Sequence, residues 1–517
     1  MEKKISILWV DDEIDLLKPY ILFLEEKGYK LTTINNGDDG IQLVKDNDYN
    51  LIFLDENMPG LNGLETLKRI KEIKAFIPVV MITKSEAEDI MELAIGSKIA
   101  DYLIKPVNPN QILLSIKKNI DTRRLISEKT THDYQIQFGR LGQEINSARN
   151  FNDWVEIYKK LVYWELEFQE SDESEMAEIL VHQKEEANNE FSRFIKKNYE
   201  SWFTEESDEK PVLSQLILKQ YVFPLLKENK KVFFILIDNL RFDQWKILEK
   251  GITAYGQIEK EELYCSILPT ATQYSRNAMF AGLMPLEIHK LYPDHWVSDE
   301  EEGGKNLKEN ELLRKNMQRE GIKNSVNYEK VVHQQKGKKI LDSFSDLLNY
   351  DLNVIIYNFV DMLSHAKTDM EMVKELANTE SAYRSLTASW FHHSYILDLL
   401  KKLSGKNVKV IITTDHGSVK VDNPVKVVGD KQTSSNLRYK TGRSLNYDPS
   451  KVFEITEPEK VHLPKSNISS RYIFATGKDY LVYPNNYNYY ANYFKSTFQH
   501  GGVSMEEMMI PLIQLNL

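Results

Sequence analysis

At 517 residues the chain is too long for a single hydrophobic core, and its length predicts about three domains. Its 42% hydrophobic and 28% charged residues are those of an ordinary folded globular protein, and a formal net charge of −11 argues against bulk adhesion to nucleic acid or an anionic membrane. A lone cysteine, Cys265, excludes an intramolecular disulfide, and its apolar setting ELYCSIL marks a packed core thiol in a reducing compartment. The N-terminal stretch MEKKISILWVDDE has too short an apolar run for a signal peptide. No segment approaches about 18 consecutive apolar residues, so no membrane insertion and a cytoplasmic location are expected.

In chain order, residues 1–120 alternate short apolar runs with amphipathic stretches. The runs are ISILWV (5–10), NLIFLDEN (50–57), IPVVMIT (77–83) and DYLIKP (101–106). This rhythm predicts βαβ units and a flavodoxin-like parallel sheet with all strand C-termini on one edge. Residues 121–205 contain no proline and space Trp, Tyr, Leu and Phe at helical intervals, predicting a helical linker bundle with those aromatics in its core. From 206 to 517 strands and helices alternate again, predicting a large α/β domain. There KVFFILID (231–238), NVIIYNFVD (353–361) and VKVIITTD (408–415) are apolar runs ending in aspartate, the pattern of strands buried on both faces. The short acidic runs SDESE and SDEEE are read as solvated surface.

The N-terminal domain carries the parts of a phosphoaspartate switch. Such a switch needs a nucleophilic carboxylate, neighbouring acids to hold Mg²⁺, and a hydroxyl and a lysine to bind the incoming phosphoryl oxygens. Asp11 and Asp12, Asp55, Thr83 and Lys105 all fall at predicted strand ends. Acids at strand ends are common turn residues, but five such positions in register are not explained that way. The segments ILWVDDE, LIFLDENMPG, VVMITK and DYLIKP resemble the response-regulator receiver family over about 120 residues. That resemblance implies Asp55 as phosphoacceptor. It also implies Asp12 with Asp11 as Mg²⁺ ligands joined by the Asn57 carbonyl, Thr83 as the moving hydroxyl, Tyr102 as the rotating aromatic and Lys105 as the phosphate-binding cation. The face beyond Ala94–Lys105 is expected to reorganise on phosphorylation and to promote a homodimer.

The C-terminal domain holds Asp238, Asp361, His365, Asp415, His416 and His500, ligands suited to Zn²⁺. In DMLSH the acid and the histidine are four residues apart and share one face of a helical turn. In TTDHG two ligands follow a strand, and Gly417 permits a tight turn. Among the 11 histidines, His289, His295, His392 and His393 receive no role. The stretch LPTATQYSRNAMFAG opens a predicted helix. Thr272 at its N-terminus would have its hydroxyl activated by the helix dipole and a metal, while Ser275, Arg276 or Asn277 and backbone amides would hold phosphate oxygens. The simpler reading, that Thr270 or Thr272 is a helix cap, stands beside it. Residues 418–444 contain Lys420, Lys426, Lys431, Arg438, Lys440 and Arg443 against Asp422 and Asp430. They read equally as a lid for a polyanionic substrate such as an oligonucleotide or as a solvated loop.

These residues and their order resemble the PglZ domain of the alkaline phosphatase superfamily over roughly 206–517. The resemblance implies two Zn²⁺, one held by Asp238, Thr272, Asp415 and His416 and the other by Asp361, His365 and His500. It implies in-line attack by Thr272 and later hydrolysis of the phosphothreonine. The three domains in this order are similar to the receiver–PglZ response regulators of the Bacteroidetes type IX secretion system. That similarity implies a cognate histidine kinase, a secretion-motor component and a sigma factor as partners, and phosphodiesterase action on nucleotide-type substrates. A docking scaffold with little catalysis is the alternative, disfavoured because a scaffold needs no nucleophile. The chain lacks a convincing helix-turn-helix, so direct duplex DNA binding is not expected.

Overall fold

The computed structural model describes residues 5–74, 77–84, 99–171, 174–205, 210–299, 301, 304–369, 377, 379–429, 434–465 and 467–517. The chain separates into two compact units, the first built mainly from Met1–Gln135 and the second from Ile136–Glu170 and Ser174–Leu517.

The first unit is a parallel sheet of β1 (Ser6–Val10), β2 (Lys30–Ile34), β3 (Leu51–Asp55), β4 (Val79–Thr83) and β5 (Asp101–Ile104) in the order β2-β1-β3-β4-β5. Every pairing is parallel, so the strand C-termini share one edge. The central strands have no exposed face: β3 and β4 are buried at every position. This explains their unbroken apolar runs, each fully buried Val, Leu, Ile or Phe contributing about 1.5–3 kcal/mol. Helices α1 (Ile14–Glu26), α2 (Gly37–Asp46), α3 (Gly63–Ile73) and α4 (Pro109–Ile116) cover the sheet. Asn36, Asn62 and Asn108 cap α2, α3 and α4 through their side chains. Gly63 is required by contact: a Cβ there would stand 2.3 Å from the Asp55 carbonyl oxygen.

The long helix α5 (Thr122–Ser147) begins in the first unit and ends in the second, which holds nearly all of α6 (Phe151–Ser171) and the whole of α7 (Ser174–Asn198). Most of the expected linker, from Ile136 onward, therefore packs into the same unit as the C-terminal sheet. Most of the aromatics of these helices are core: Trp154, Tyr158 and Phe191 are buried, as is Tyr199 just after α7, and Trp154 meets Phe191 edge-on at 5.5 Å, while Phe138 and Tyr163 are exposed.

The principal sheet runs β7 (Gln257–Cys265), β18 (Met509–Asn516), β10 (Lys409–Thr413), β6 (Val232–Ile237), β9 (Leu352–Tyr357) and β8 (Val326–Val331). β10, β6, β9 and β8 are mutually parallel, and β18 is antiparallel to both its neighbours. The C-terminal ends of β6, β9, β10 and β7 thus open on one edge, as do the residues leading into β18. Among the described residues, the small-sheet and outer strands carry no apolar run: charges alternate in QIEKEELYC, and pairs such as Val419–Lys420 are too short. Asp361 departs from its expected place at a strand end. β9 stops at Tyr357, and Asp361 sits in the first turn of α10 (Phe359–Asp369). Among the described residues no helix is long and apolar enough to cross a membrane.

Candidate phosphoacceptor site and candidate metal centre

At the edge of the first sheet, Asp11, Asp12 and Asp55 each place an oxygen within 4.8 Å of the others. Lys105 Nζ lies 3.0 Å from Asp11 Oδ2 and 3.1 Å from Asp55 Oδ1. Asp55 is nearly buried, and that burial together with the Asp11 charge pushes its carboxyl up to about 6, against the pull of Lys105. The cluster has the charge surplus that a hard cation such as Mg²⁺ would balance. Thr83 is fully buried and its hydroxyl donates to Glu56, a residue the sequence did not single out. Tyr102 is half-buried against the core under α3, and Asn57 is exposed just after the strand. Of the face assigned to Ala94–Lys105, residues 94–98 lie outside the described residues.

The second unit gathers six expected ligands at the C-terminal edge of its sheet. Asp238, Asp415 and His416 bring ligand atoms within 4.8 Å of one another, and so do Asp361, His365 and His500. In the first group all three residues are buried; in the second, the His365 side chain is 62% exposed. The groups adjoin. The His416 and His500 rings stack at 4.2 Å, and Asn239 Nδ2 approaches Asp361 Oδ1 at 3.4 Å.

Local chemistry sets each ligand. His416 Nδ1 faces the Gly417 carbonyl at 3.2 Å, which assigns it the proton and turns the Nε2 lone pair toward Asp238 (3.8 Å) and Asp415 (3.7 Å). Gly417 is dictated by space, since a Cβ would stand 2.0 Å from the Glu506 carbonyl oxygen. Burial pushes His500 down to about 3 against the pull of Asp361, so its ring is neutral and ligand-ready at pH 7. Burial and the Asp415 and Asp361 charges raise Asp238 despite Arg276. Burial would raise Asp415 too, but the Arg276 guanidinium overcomes it and holds Asp415 below the usual carboxylate range.

Asp238 Oδ1 is buried and accepts no hydrogen bond among the described residues. A buried carboxylate oxygen in that state is costly without a cation. Asp238, Asp415 and His416 supply the mixed oxygen and nitrogen donors that suit Zn²⁺. Asp361, His365 and His500 offer a similar set with one side toward solvent, which leaves room for a substrate oxygen.

The geometry separates the two threonines. Thr270 is fully buried; its hydroxyl donates to the Gly502 carbonyl and accepts from the Gly501 amide, each at 3.0 Å. Thr272 begins helix α9 (Thr272–Ala281), Ala271 being the cap residue, and its Oγ1 lies 3.0 Å from His416 Nε2. Neither caps the helix through its side chain.

The three side chains expected to hold phosphate oxygens have protein partners. Ser275 Oγ donates to the Ala271 carbonyl at 2.9 Å, Asn277 Nδ2 to the Lys305 carbonyl at 3.1 Å, and Arg276 Nε to Asp415 Oδ2 at 2.9 Å. All three residues are buried. Positions three to five residues past Thr272 turn into the protein on an α-helix, so these side chains serve protein partners. The basic lid shrinks for a similar reason. Arg438 is buried in a two-pronged ion pair with Glu507, and Lys440 is buried over the Tyr483 ring at 4.2 Å. Lys431 lies outside the described residues. Two residues went unnoticed in the sequence. Asn358 Nδ2 donates to Asp238 Oδ2 at 3.0 Å, and Asn239 adopts a left-handed φ of 64° to reach Ser364 at 3.2 Å. An asparagine beside or three before a ligand was the available signal.

The chain matches three family models in succession. They are the response regulator receiver domain over 7–117, the PorX response regulator linker domain over 124–203 and the BREX system PglZ alkaline phosphatase-like domain over 217–515. The succession is a PorX-like architecture. Among curated proteins, the transcriptional regulatory protein ZraR of Klebsiella oxytoca is 31% identical over 140 residues, 27% of this chain and 32% of the relative. The transcriptional regulatory protein ResD of Bacillus subtilis is 35% identical over 114 residues, 22% of this chain and 46% of the relative. The chain therefore spans less than half the length of these relatives. Among solved structures, a response regulator receiver domain from Clostridium thermocellum is 28% identical, covering 23% of this chain and 98% of its own, with a TM-score of 0.23. The CheY-like receiver from Methanospirillum hungatei JF-1 is 25% identical, covering 23% and 96%, with a TM-score of 0.23.

Proposed function

The chain belongs to the PglZ alkaline phosphatase-like family, and on that premise we propose that it is a response regulator whose phosphorylation on Asp55 controls a two-zinc phosphodiesterase in its C-terminal unit. One observation carries the reading. Two ligand groups adjoin through the 4.2 Å stack of His416 and His500, with a threonine hydroxyl 3.0 Å from His416.

Asp238, Asp415, His416 and Thr272 would hold one Zn²⁺, and Asp361, His365 and His500 the other. When bound, the pair supplies Lewis-acid charge for the attacking and leaving oxygens. Thr272 Oγ1 attacks phosphorus at the helix N-terminus, and one P–O bond forms as another breaks. The proton lost by Thr272 is balanced by the one the departing alkoxide takes up. Water then cleaves the phosphothreonine and restores the hydroxyl. Asn358 holds Asp238, and Asn239 ties the Asp238 loop to Asp361, so both groups keep their spacing through the cycle. The solvent-facing side at His365 admits a nucleotide-type diester, including an oligonucleotide.

At the other end, Asp55 takes a phosphoryl group from a cognate histidine kinase with Mg²⁺ held by Asp11, Asp12, Asp55 and the Asn57 carbonyl. Lys105 and Thr83 then engage the phosphoryl oxygens, with Tyr102 following Thr83. Phosphorylation promotes a homodimer. The chain acts in the cytoplasm in type IX secretion, with a secretion-motor component and a sigma factor as partners.

The test is zinc content together with hydrolysis of bis-p-nitrophenyl phosphate and oligonucleotides, in wild type and Thr272→Ala. Two zinc ions per chain and activity lost in the variant are expected. Bound zinc with no hydrolysis in either protein would leave a docking scaffold as the better account.

A further inference from the structure

Arg276 was expected to face the substrate, yet it is fully buried behind the ligands. Its guanidinium is shared between two of them: Nε donates to Asp415 Oδ2 at 2.9 Å, and an ion pair joins it to Asp238 Oδ2. Behind it stands Glu309, 2% exposed, whose Oε1 is 3.5 Å from Arg276 Nη1. Glu309 is itself pinned by Asn306 Nδ2 at 2.9 Å, Lys330 Nζ at 3.3 Å and the Tyr328 hydroxyl. A row of alternating charge thus runs inward from the metal centre: Asp238 and Asp415, then Arg276, then Glu309.

The oxygens are divided in a telling way. Arg276 and Asn358 both take Asp238 Oδ2, while Oδ1 is left without a hydrogen bond on the His416 side. One edge of the carboxylate is thereby clamped by protein and the other is kept for a cation. A guanidinium fork cannot lose its charge and is less strongly hydrated than an ammonium, so it suits a dry position between two acids.

We infer that Arg276 is the resident counter-cation of the Asp238–Asp415–His416 position. It holds the two carboxylates together when no metal is bound and, by sharing their charge, sets how tightly that position takes zinc. The inference rests on the metal-centre reading above. Two acids buried side by side repel each other and are costly to desolvate. In the zinc-free chain Arg276 offsets that cost; in the loaded chain the metal does so as well. Removing the guanidinium must therefore harm the zinc-free fold more than the loaded one. By linkage, the binding of zinc must then become tighter.

The experiment uses the full chain as wild type, Arg276→Met and Arg276→Lys. Zinc affinity is read by competition with a chromogenic chelator, and thermal unfolding is recorded with and without zinc. For Arg276→Met the zinc-free transition is expected to drop further than the loaded one, and one of two zinc ions to bind about tenfold tighter or more. Arg276→Lys, which keeps the charge but not the fork, should fall between and covers the case in which Arg276→Met does not fold without zinc. Equal drops in both transitions with unchanged zinc affinity would make Arg276 a packing strut and overturn the inference. So would weaker zinc binding, or unchanged zinc affinity with lost binding of inorganic phosphate, which would return Arg276 to the substrate. A wild-type chain that binds no zinc would instead remove the metal-centre reading itself.

Discussion

Asp55→Asn should stabilise the first unit at neutral pH and lose that advantage in acid. The Asp55 carboxyl is held at about 6 against an ordinary 3.8 by burial and by Asp11. A raised carboxyl means the fold binds its proton more tightly than the unfolded chain does. The ionised group is then a liability at every pH above about 6, one that shrinks as pH falls toward 3.8 and is absent below it. The difference corresponds to about 3 kcal/mol at pH 7.5 and roughly half of that at pH 5. Asparagine keeps the shape and removes the charge, while Lys105 retains Asp11 at 3.0 Å. For a unit of this size the gain is a rise of roughly 10 °C in its transition at pH 7.5. Differential scanning calorimetry of the full chain in a chelating buffer measures it. Added Mg²⁺ should shrink the gain, because the cation stabilises the ionised wild-type cluster of Asp11, Asp12 and Asp55. No upward shift at pH 7.5, or the same shift at pH 5, would refute the reasoning and leave Asp55 an ordinary solvated acid.

Two further outcomes follow from the second unit. Thr270→Ala should retain the chemistry but lower stability by about 1–3 kcal/mol, since the Gly501 amide loses its buried acceptor, whereas Thr272→Ala should abolish hydrolysis at nearly unchanged stability; urea denaturation beside an activity assay distinguishes them, and swapped phenotypes would reassign the nucleophile. Burial pulls the Lys440 ammonium down to about 7, so its protonation opposes folding below pH 7 and ceases to matter as pH approaches 10.5. Lys440→Met should therefore stabilise the chain at pH 6.5, by at most about 5 kcal/mol, and by less than about 1.5 kcal/mol at pH 9.5; a pH-independent effect in denaturant titrations would show that the amine is solvated.

Much of the site was readable because a strand buried on both faces must be apolar to its end, so a terminal aspartate stands out. VFFILID and VIITTD showed where Asp238 and Asp415 emerge for that reason. For Asp361 the sequence offered both a strand end in NVIIYNFVD and a helical turn in DMLSH, and the change from strand to helix at Asn358 makes the second correct. In LPTATQ the sequence favours Thr272 without excluding Thr270. A two-residue step decides which hydroxyl meets the Gly501–Gly502 backbone and which meets His416, and both partners are distant in sequence. The basic count over 418–444 does not show which side chains are buried, because charge in a sequence says nothing of depth. Arg438 finds Glu507 in the interior and Lys440 is covered.

The sequence by itself determined the α/β character of both ends, the helical middle, and which acids and histidines stand at the sheet edges. These depend on periodicity and strand burial, which are local and set by composition. Only the tertiary structure decided that the linker from Ile136 onward shares a unit with the second sheet. It also decided that His416 and His500 stack to join the two ligand groups, and that Arg276 turns inward to the carboxylates. Those outcomes depend on contacts between segments tens to hundreds of residues apart. Their energies come from desolvating charges together, and no local pattern in the chain encodes that pairing.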